Sequence, residues 1–150
     1  MFSRISMLVL VLLILAGCAF NRHIVAPFAK ISLVGSSEMN PDAQGRPSPM
    51  SLKIYELSSR SAFDNLDFDT AFYNASTVLS DELLSAAEYV VLPEQQLNHR
   101  IRLTKNVRFI AIVAAYRHID NAKWRLVYPV NENGYHHHEV HLKADAVVLD

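Results

Sequence analysis

The sequence predicts a mainly β domain: a two-sheet antiparallel β-sandwich with a small helical insertion. Three observations carry this. Short runs alternate apolar and polar residues at period two, as strands with one buried face do. Clusters of Gly, Pro, Asn and Asp separate those runs. One stretch, from Ser61 to about Ser85, abandons the period of two and spaces its apolar residues as a helix would. Seven or eight short strands at this spacing favour a sandwich.

The elements follow in order. Phe28 to Val34 sets Ile31 and Leu33 against Lys30 and Ser32 and reads as the first strand. Gly35 to Pro49 holds three prolines, two glycines and an Asn40-Pro41-Asp42 turn, so it reads as a long loop. Met50 to Leu57 is a second strand, with Met50, Leu52 and Ile54 on one face and Ser51 and Lys53 on the other. In the helical stretch, Phe63, Leu66, Phe68, Phe72, Val78 and Leu79 are the apolar positions. Asp67 suits the N-cap of a helix over Phe68 to Asn74, and Asp81 to Ala87 reads as a second short helix. This insertion is expected to cover one edge or end of the sheet.

Strand signals then return. Glu88 to Leu92 stops at Pro93, and Asn98 to Leu103 sets Ile101 and Leu103 against Arg100 and Arg102. Val107 to Tyr116 is nearly all apolar, as expected of a central strand buried on both faces. Asp120-Asn121 marks a hairpin, Lys123 to Tyr128 alternates, and Pro129 ends it. Asn131 to Gly134 is a strong turn. Tyr135 to Leu142 and Ala146 to Leu149 complete the strands.

The N-terminus has a different character. Arg4 precedes an unbroken apolar run, Met7 to Leu15, and the small residues Ala16 and Gly17. That order is a secretory signal peptide, too short to read as a membrane-spanning helix. Cys18, the only cysteine, follows directly. Leu15-Ala16-Gly17-Cys18 resembles the lipobox of bacterial lipoproteins, in which the thiol accepts a diacylglyceryl group and becomes the first residue after cleavage. Two or more acyl chains hold a protein at a bilayer effectively for good. The expected organisation is a signal peptide over 1–17, a lipidated tether over 18–27 and a sandwich over 28–150. Ala19 stands where Asp would, under the enteric bacterial sorting rule, retain a lipoprotein at the inner membrane. The resemblance therefore implies the outer membrane, with the domain facing the periplasm.

Composition narrows the chemistry. Without residues 1–17 the chain has 133 residues, 13 basic and 15 acidic, which suits one domain and offers no basic excess for nucleic acid. A lone lipidated cysteine excludes an internal disulfide. Gly35, Gly45 and Gly134 are too widely spaced for a phosphate loop. His136, His137, His138 and His141 invite a metal reading. On a strand, however, His136 and His138 share one face while His137 and His141 share the other, about 13 Å apart. The cluster thus reads as a solvated edge strand, with no metal or other cofactor. Catalysis has no support: there is no Gly-x-Ser-x-Gly elbow and no free thiol. Asp64, Asp67 and Asp69 suit helix starts. Trp124, between Lys123 and Arg125, reads as a core or hairpin residue. The Ser36–Pro49 loop is the best candidate surface: prolines limit its freedom, Met39 and Pro41 offer apolar contact, and Asp42, Gln44 and Arg46 offer polar selectivity.

Taken together, the residues resemble a known family. The lipobox is followed by a strand, Asn40-Pro41-Asp42, Gly45-Arg46-Pro47-Ser48-Pro49, and a strand reading Lys53-Ile54-Tyr55-Glu56-Leu57. Then come Phe63, Asp67-Phe68, Asp81-Glu82-Leu83-Leu84, Leu92-Pro93, Ala114-Ala115-Tyr116-Arg117 and Trp124-Arg125. This pattern is similar to the outer-membrane lipoprotein of the type VI secretion system, the TssJ/VasD-like family. The resemblance implies a transthyretin-like sandwich without catalytic activity. It also implies a function: anchoring the trans-envelope complex by binding the periplasmic C-terminal domain of the large TssM-type inner-membrane protein. The family's contact loop maps onto Ser36 to Pro49, with Glu38, Met39, Asn40, Pro41, Asp42, Ala43, Gln44, Gly45 and Arg46 as partner-binding residues. Pro93-Glu94 stands where the family often has Pro-Gly. The competing expectation is a periplasmic ligand-binding or carrier sandwich, which would need a concave apolar cavity.

Overall fold

Alternating side chains make eight strands, and the computed structural model, which describes residues 27–133 and 135–150, pairs them into two sheets. The expected signal peptide, Cys18 and the expected tether as far as residue 26 lie outside the described residues. The strands are β1 (Phe28–Gly35), β2 (Met50–Leu57), β3 (Leu83–Val91), β4 (Gln96–Arg102), β5 (Phe109–Ala114), β6 (Arg125–Pro129), β7 (Tyr135–Leu142) and β8 (Val147–Leu149). Two short helices, α1 (Phe68–Tyr73) and α2 (Ala75–Leu79), lie between β2 and β3. One sheet runs β4-β1-β7-β8, the other β3-β2-β5-β6. Every pairing is antiparallel except β1 with β7, which is parallel. A two-residue hairpin cannot make such a pair. Here the chain leaves the other sheet after β6 and enters β7 beside the start of β1.

Period-two alternation fills the space between the sheets. Ile31 and Leu33 of β1, Leu52 and Ile54 of β2, Ile110 and Ile112 of β5, and Val140 and Leu142 of β7 are all buried there. β5 is buried on its other face as well, as its apolar run predicts. Ala111 and Val113 join Tyr55, Leu57, Phe63, Phe72 and Leu79 in a second core beneath the helices. Asp67 caps α1 as expected, its carboxylate accepting the Thr70 N–H at 2.8 Å.

Two expectations are corrected. Asp81 to Ala87 is not a helix: a 3₁₀ turn over Ser80–Glu82 leads straight into β3, which pairs with β2 from Leu83↔Leu57 to Val91↔Met50. Leu and Ala are good helix formers, but the ladder offered by β2 overrides that weak preference. The histidine-bearing strand is an edge over only part of its length: β8 pairs with β7 at Val140, His141 and Leu142, so His141 has a strand on both sides, while among the described residues His136, His137 and His138 have a strand partner only in β1.

The sandwich has two distinct ends. The start of β1, the close of β4 at Arg102 and the start of β7 lie at one, tied by the Leu103 N–H donating to the Pro27 carbonyl at 3.0 Å. The β1–β2 loop and the turn after β3 lie at the other, where Gly35 N–H donates to the Gln95 carbonyl at 2.9 Å. Gly35 is required there: a Cβ would stand 2.5 Å from the Leu92 carbonyl oxygen.

Candidate functional site

The β1–β2 loop is built from the inside outward. Met39 has no exposed surface and lies in the core between the sheets. Asn40, also buried, adopts φ 48°, a left-handed conformation that Asn tolerates better than most residues. Its side chain joins three segments. Nδ2 donates to the Pro49 carbonyl at 2.8 Å, and Oδ1 accepts the Arg117 N–H at 2.8 Å. The Ser48 N–H donates to the Met39 carbonyl at 3.0 Å and closes the neck. Met39 and Asn40 therefore face inward. The expectation that they belong to the contact surface is corrected, because an apolar thioether and an amide whose nitrogen and oxygen are both hydrogen-bonded are well placed inside.

Beyond the neck the chain is accessible. Ala43, Gln44, Gly45, Arg46 and Pro47 are exposed, as is Glu38 on the approach, while Pro41 and Asp42 are half-buried. Asp42 organises this tip. Its carboxylate accepts the backbone N–H groups of Gln44 and Arg46, both at 2.9 Å, and the Arg46 Nε–H at 2.8 Å. The Asp42 N–H donates to the Arg46 carbonyl, and Gly45 N–H to the Asp42 carbonyl, each at 2.9 Å. Gly45 supplies the left-handed turn at φ 75°. The Arg46 backbone N–H, then its guanidinium, the Gln44 N–H and the charge of Arg117 hold the Asp42 carboxyl below the usual carboxylate range. The tip is thus a preordered hairpin that keeps Asp42 inward and presents Arg46, whose side chain is 74% exposed.

Neighbours that the linear sequence does not reveal stand at its root. Pro41, Tyr116, His118, Ala122 and Asp145 line a surface groove of about 160 Å³ beside Asn40. The β5–β6 connection and the turn before β8 bring them there; Arg117, bonded to Asn40, sits in the same connection.

The histidines separate as their parity requires. His138 points inward against Tyr128, with ring centroids 4.8 Å apart. His137 points outward and lies 3.0 Å from the Ser32 hydroxyl. Burial, then the nearby His136 and His137, push the His138 pKa down. His141 is brought not to His137 but to Glu139 and Asp150, at 3.8 and 3.7 Å. This trio offers donors suited to a divalent cation. Asp150 reaches it only through the β7–β8 pairing, which spacing does not show. Trp124 is half-buried, 5.5 Å from the Phe68 ring, and packs against both cores. Two further grooves also lie at the surface. One of about 220 Å³ is lined by Tyr55, Phe72, Tyr73 and Glu88 beneath the helices.

Comparison with known proteins agrees with this architecture. A structure of the type VI lipoprotein TssJ1 from Pseudomonas aeruginosa is similar at TM-score 0.80 and 29% identity, over 84% of this chain and 96% of that one. The Serratia marcescens Lip, a membrane-bound component of the same kind of system, is similar at TM-score 0.77 and 19% identity, over 84% and 97%. A chain of the structure described as the TssM C-terminal domain from EAEC is similar at TM-score 0.66 and 16% identity, over 81% and 99%. A comparison with curated proteins gave no match. The family described as T6SS-SciN, "Type VI secretion lipoprotein, VasD, EvfM, TssJ", matches residues 28–145. That span covers the sandwich almost from end to end, and the chain belongs to this family of structural, membrane-bound secretion lipoproteins.

Proposed function

We propose that the protein is anchored at the periplasmic face of the outer membrane by acylated Cys18. There it grips the periplasmic C-terminal domain of a TssM-type inner-membrane protein with the tip of its β1–β2 loop. One observation carries this reading: the chain enters the sandwich at one end and the preordered tip lies at the other. Eight residues of β1, at about 3.3 Å each, set the two roughly 26 Å apart. A tether at one end and a contact at the other suit a bridge between a bilayer and a second protein. The exposed residues Ala43, Gln44, Gly45 and Arg46, with Pro41 beside them, form the contact. Because the hairpin is ordered beforehand, little conformational entropy is lost on binding. Ala19, in place of Asp, supports sorting to the outer membrane.

Two measurements test this. Cys18→Ser should release the protein from membranes; continued sedimentation with the outer membrane would disprove the anchor. Asp42→Ala combined with Arg46→Ala should loosen the tip and weaken partner binding by about tenfold or more in calorimetry, with the thermal midpoint nearly unchanged. Undiminished affinity would remove the tip from the interface. Deleting Met39 or Asn40 is not an equivalent test, since both also hold the core.

A further inference from the structure

Although acidic residues outnumber basic ones in the chain as a whole, cations gather at the end of the sandwich where β1 begins. Strand register places Arg102, Phe28 and Tyr135 in one row and Arg100, Lys30 and His137 in the next. Their alternates Ala29, Ile31 and Ile101 point into the core, so all six of these side chains project from the outer face of the β4-β1-β7 sheet. The Arg100 guanidinium stacks over the Phe28 ring at 4.5 Å. Phe28 meets Tyr135 edge-on at 4.8 Å, and Tyr135 is 59% exposed. Lys105 extends the patch on the adjoining exposed turn. Among the described residues, none of Lys30, Arg100, Arg102 and Lys105 is in an ion pair. The carboxylates nearest in register or sequence are Glu139, beside His141, and Glu132, in the exposed β6–β7 turn.

Unpaired cations interleaved with amphipathic aromatic rings are the chemistry of a membrane interface. Attachment of the chain says which interface. Pro27 stands nine positions after Cys18, so even a fully extended tether of about 3.6 Å per residue reaches only roughly 30 Å. A lipid on Cys18 therefore holds the end that carries these cations within roughly 30 Å of the bilayer. We propose that this basic-aromatic face binds the anionic phospholipid headgroups of the membrane that anchors the protein. Such docking sets the sandwich upright and aims the β1–β2 tip away from the bilayer. The proposal rests on the lipid-anchor reading of Cys18.

The test uses the full lipidated chain reconstituted into vesicles of phosphatidylethanolamine alone, or of equal parts phosphatidylethanolamine and phosphatidylglycerol. Amine acetylation is read by mass spectrometry at Lys30 and Lys105, with Lys123 and Lys143 at the loop end as controls. In the anionic vesicles Lys30 and Lys105 should react about threefold more slowly or less, the protection should vanish in high salt, and the controls should not change. Arg100→Glu with Arg102→Glu, both at exposed positions, should still float with vesicles but lose the difference. Flotation with equal rates in both vesicles overturns this proposal alone. Failure to float with either overturns the anchor and this proposal with it. Protection that requires an added periplasmic protein rather than phosphatidylglycerol assigns the face to a protein partner and overturns the lipid assignment.

Discussion

The two sheets present opposite outer faces. Tyr55 and Leu57 of β2, with Ala111 and Val113 of β5, project outward from one sheet and are covered by the helical insertion. Lys30 and Ser32 of β1, with His137 and Glu139 of β7, project outward from the other and meet water or one another. The connections account for the difference. Residues 58–82 between β2 and β3 are enough to fold two helices and bring Phe63, Phe72 and Leu79 onto the sheet. The β3–β4 connection is only residues 92–95, so it covers nothing. The covered face is also tied down by polar groups: Tyr55 Oη donates to the Ala71 carbonyl at 2.8 Å, and Arg125 donates to the carbonyls of Asp64 and Leu66, each at 3.0 Å. An apolar outer face thus marks where the chain has built a lid. A polar one marks where the protein meets its surroundings.

Three measurements would break or sharpen that contrast. The largest effect is expected of Phe63→Ala. Phe63 is fully buried beneath the lid, and its loss should lower stability by about 3–5 kcal/mol in urea unfolding. A loss below about 1 kcal/mol would mean that the lid is not part of the core. A smaller effect is expected on the open face. Ser32 Oγ donates to Asn98 Oδ1 at 2.8 Å and lies 3.0 Å from His137 Nε2, yet its partners sit where water can replace it. Ser32→Ala should therefore cost about 1 kcal/mol.

The smallest expected effect is on the inner face, where acid acts through two histidines. Burial lowers the pKa of His99, which lies 2.6 Å from the Tyr89 hydroxyl, and of His138, whose Nε2 is buried without a partner. The folded state disfavours both charged rings. Stability is therefore full above the ordinary histidine pKa of about 6.5 and is lost as pH falls through it toward the lowered folded values. The urea midpoint should decline as the pH falls below about 7. His138→Phe should flatten the decline, and an unchanged slope would acquit His138.

Much of this was legible in the chain. Alternation located the strands because a half-buried strand must repeat every two residues, and the apolar run of β5 correctly announced burial on both faces. Asp67 announced its helix through the oxygen that caps it. The failures share a cause. Leu83 to Ala87 reads equally well as helix or strand, and only β2 alongside decides. Met39 in a proline-rich loop gives no sign that its chain turns back into the core. Likewise, nothing local says that β8 will cover the side of β7.

By itself, then, the sequence determined the β class, the family and the bounds of the long β1–β2 loop, because periodicity, turn chemistry and motif spacing are properties of neighbouring residues. Tertiary structure alone decided three things: which loop residues face outward, that β1 and β7 run parallel, and that dispersed cations from β1, β4 and the turn after it gather on one end. Those are matters of which distant segments lie side by side, and side-chain burial and local charge are fixed only once they do.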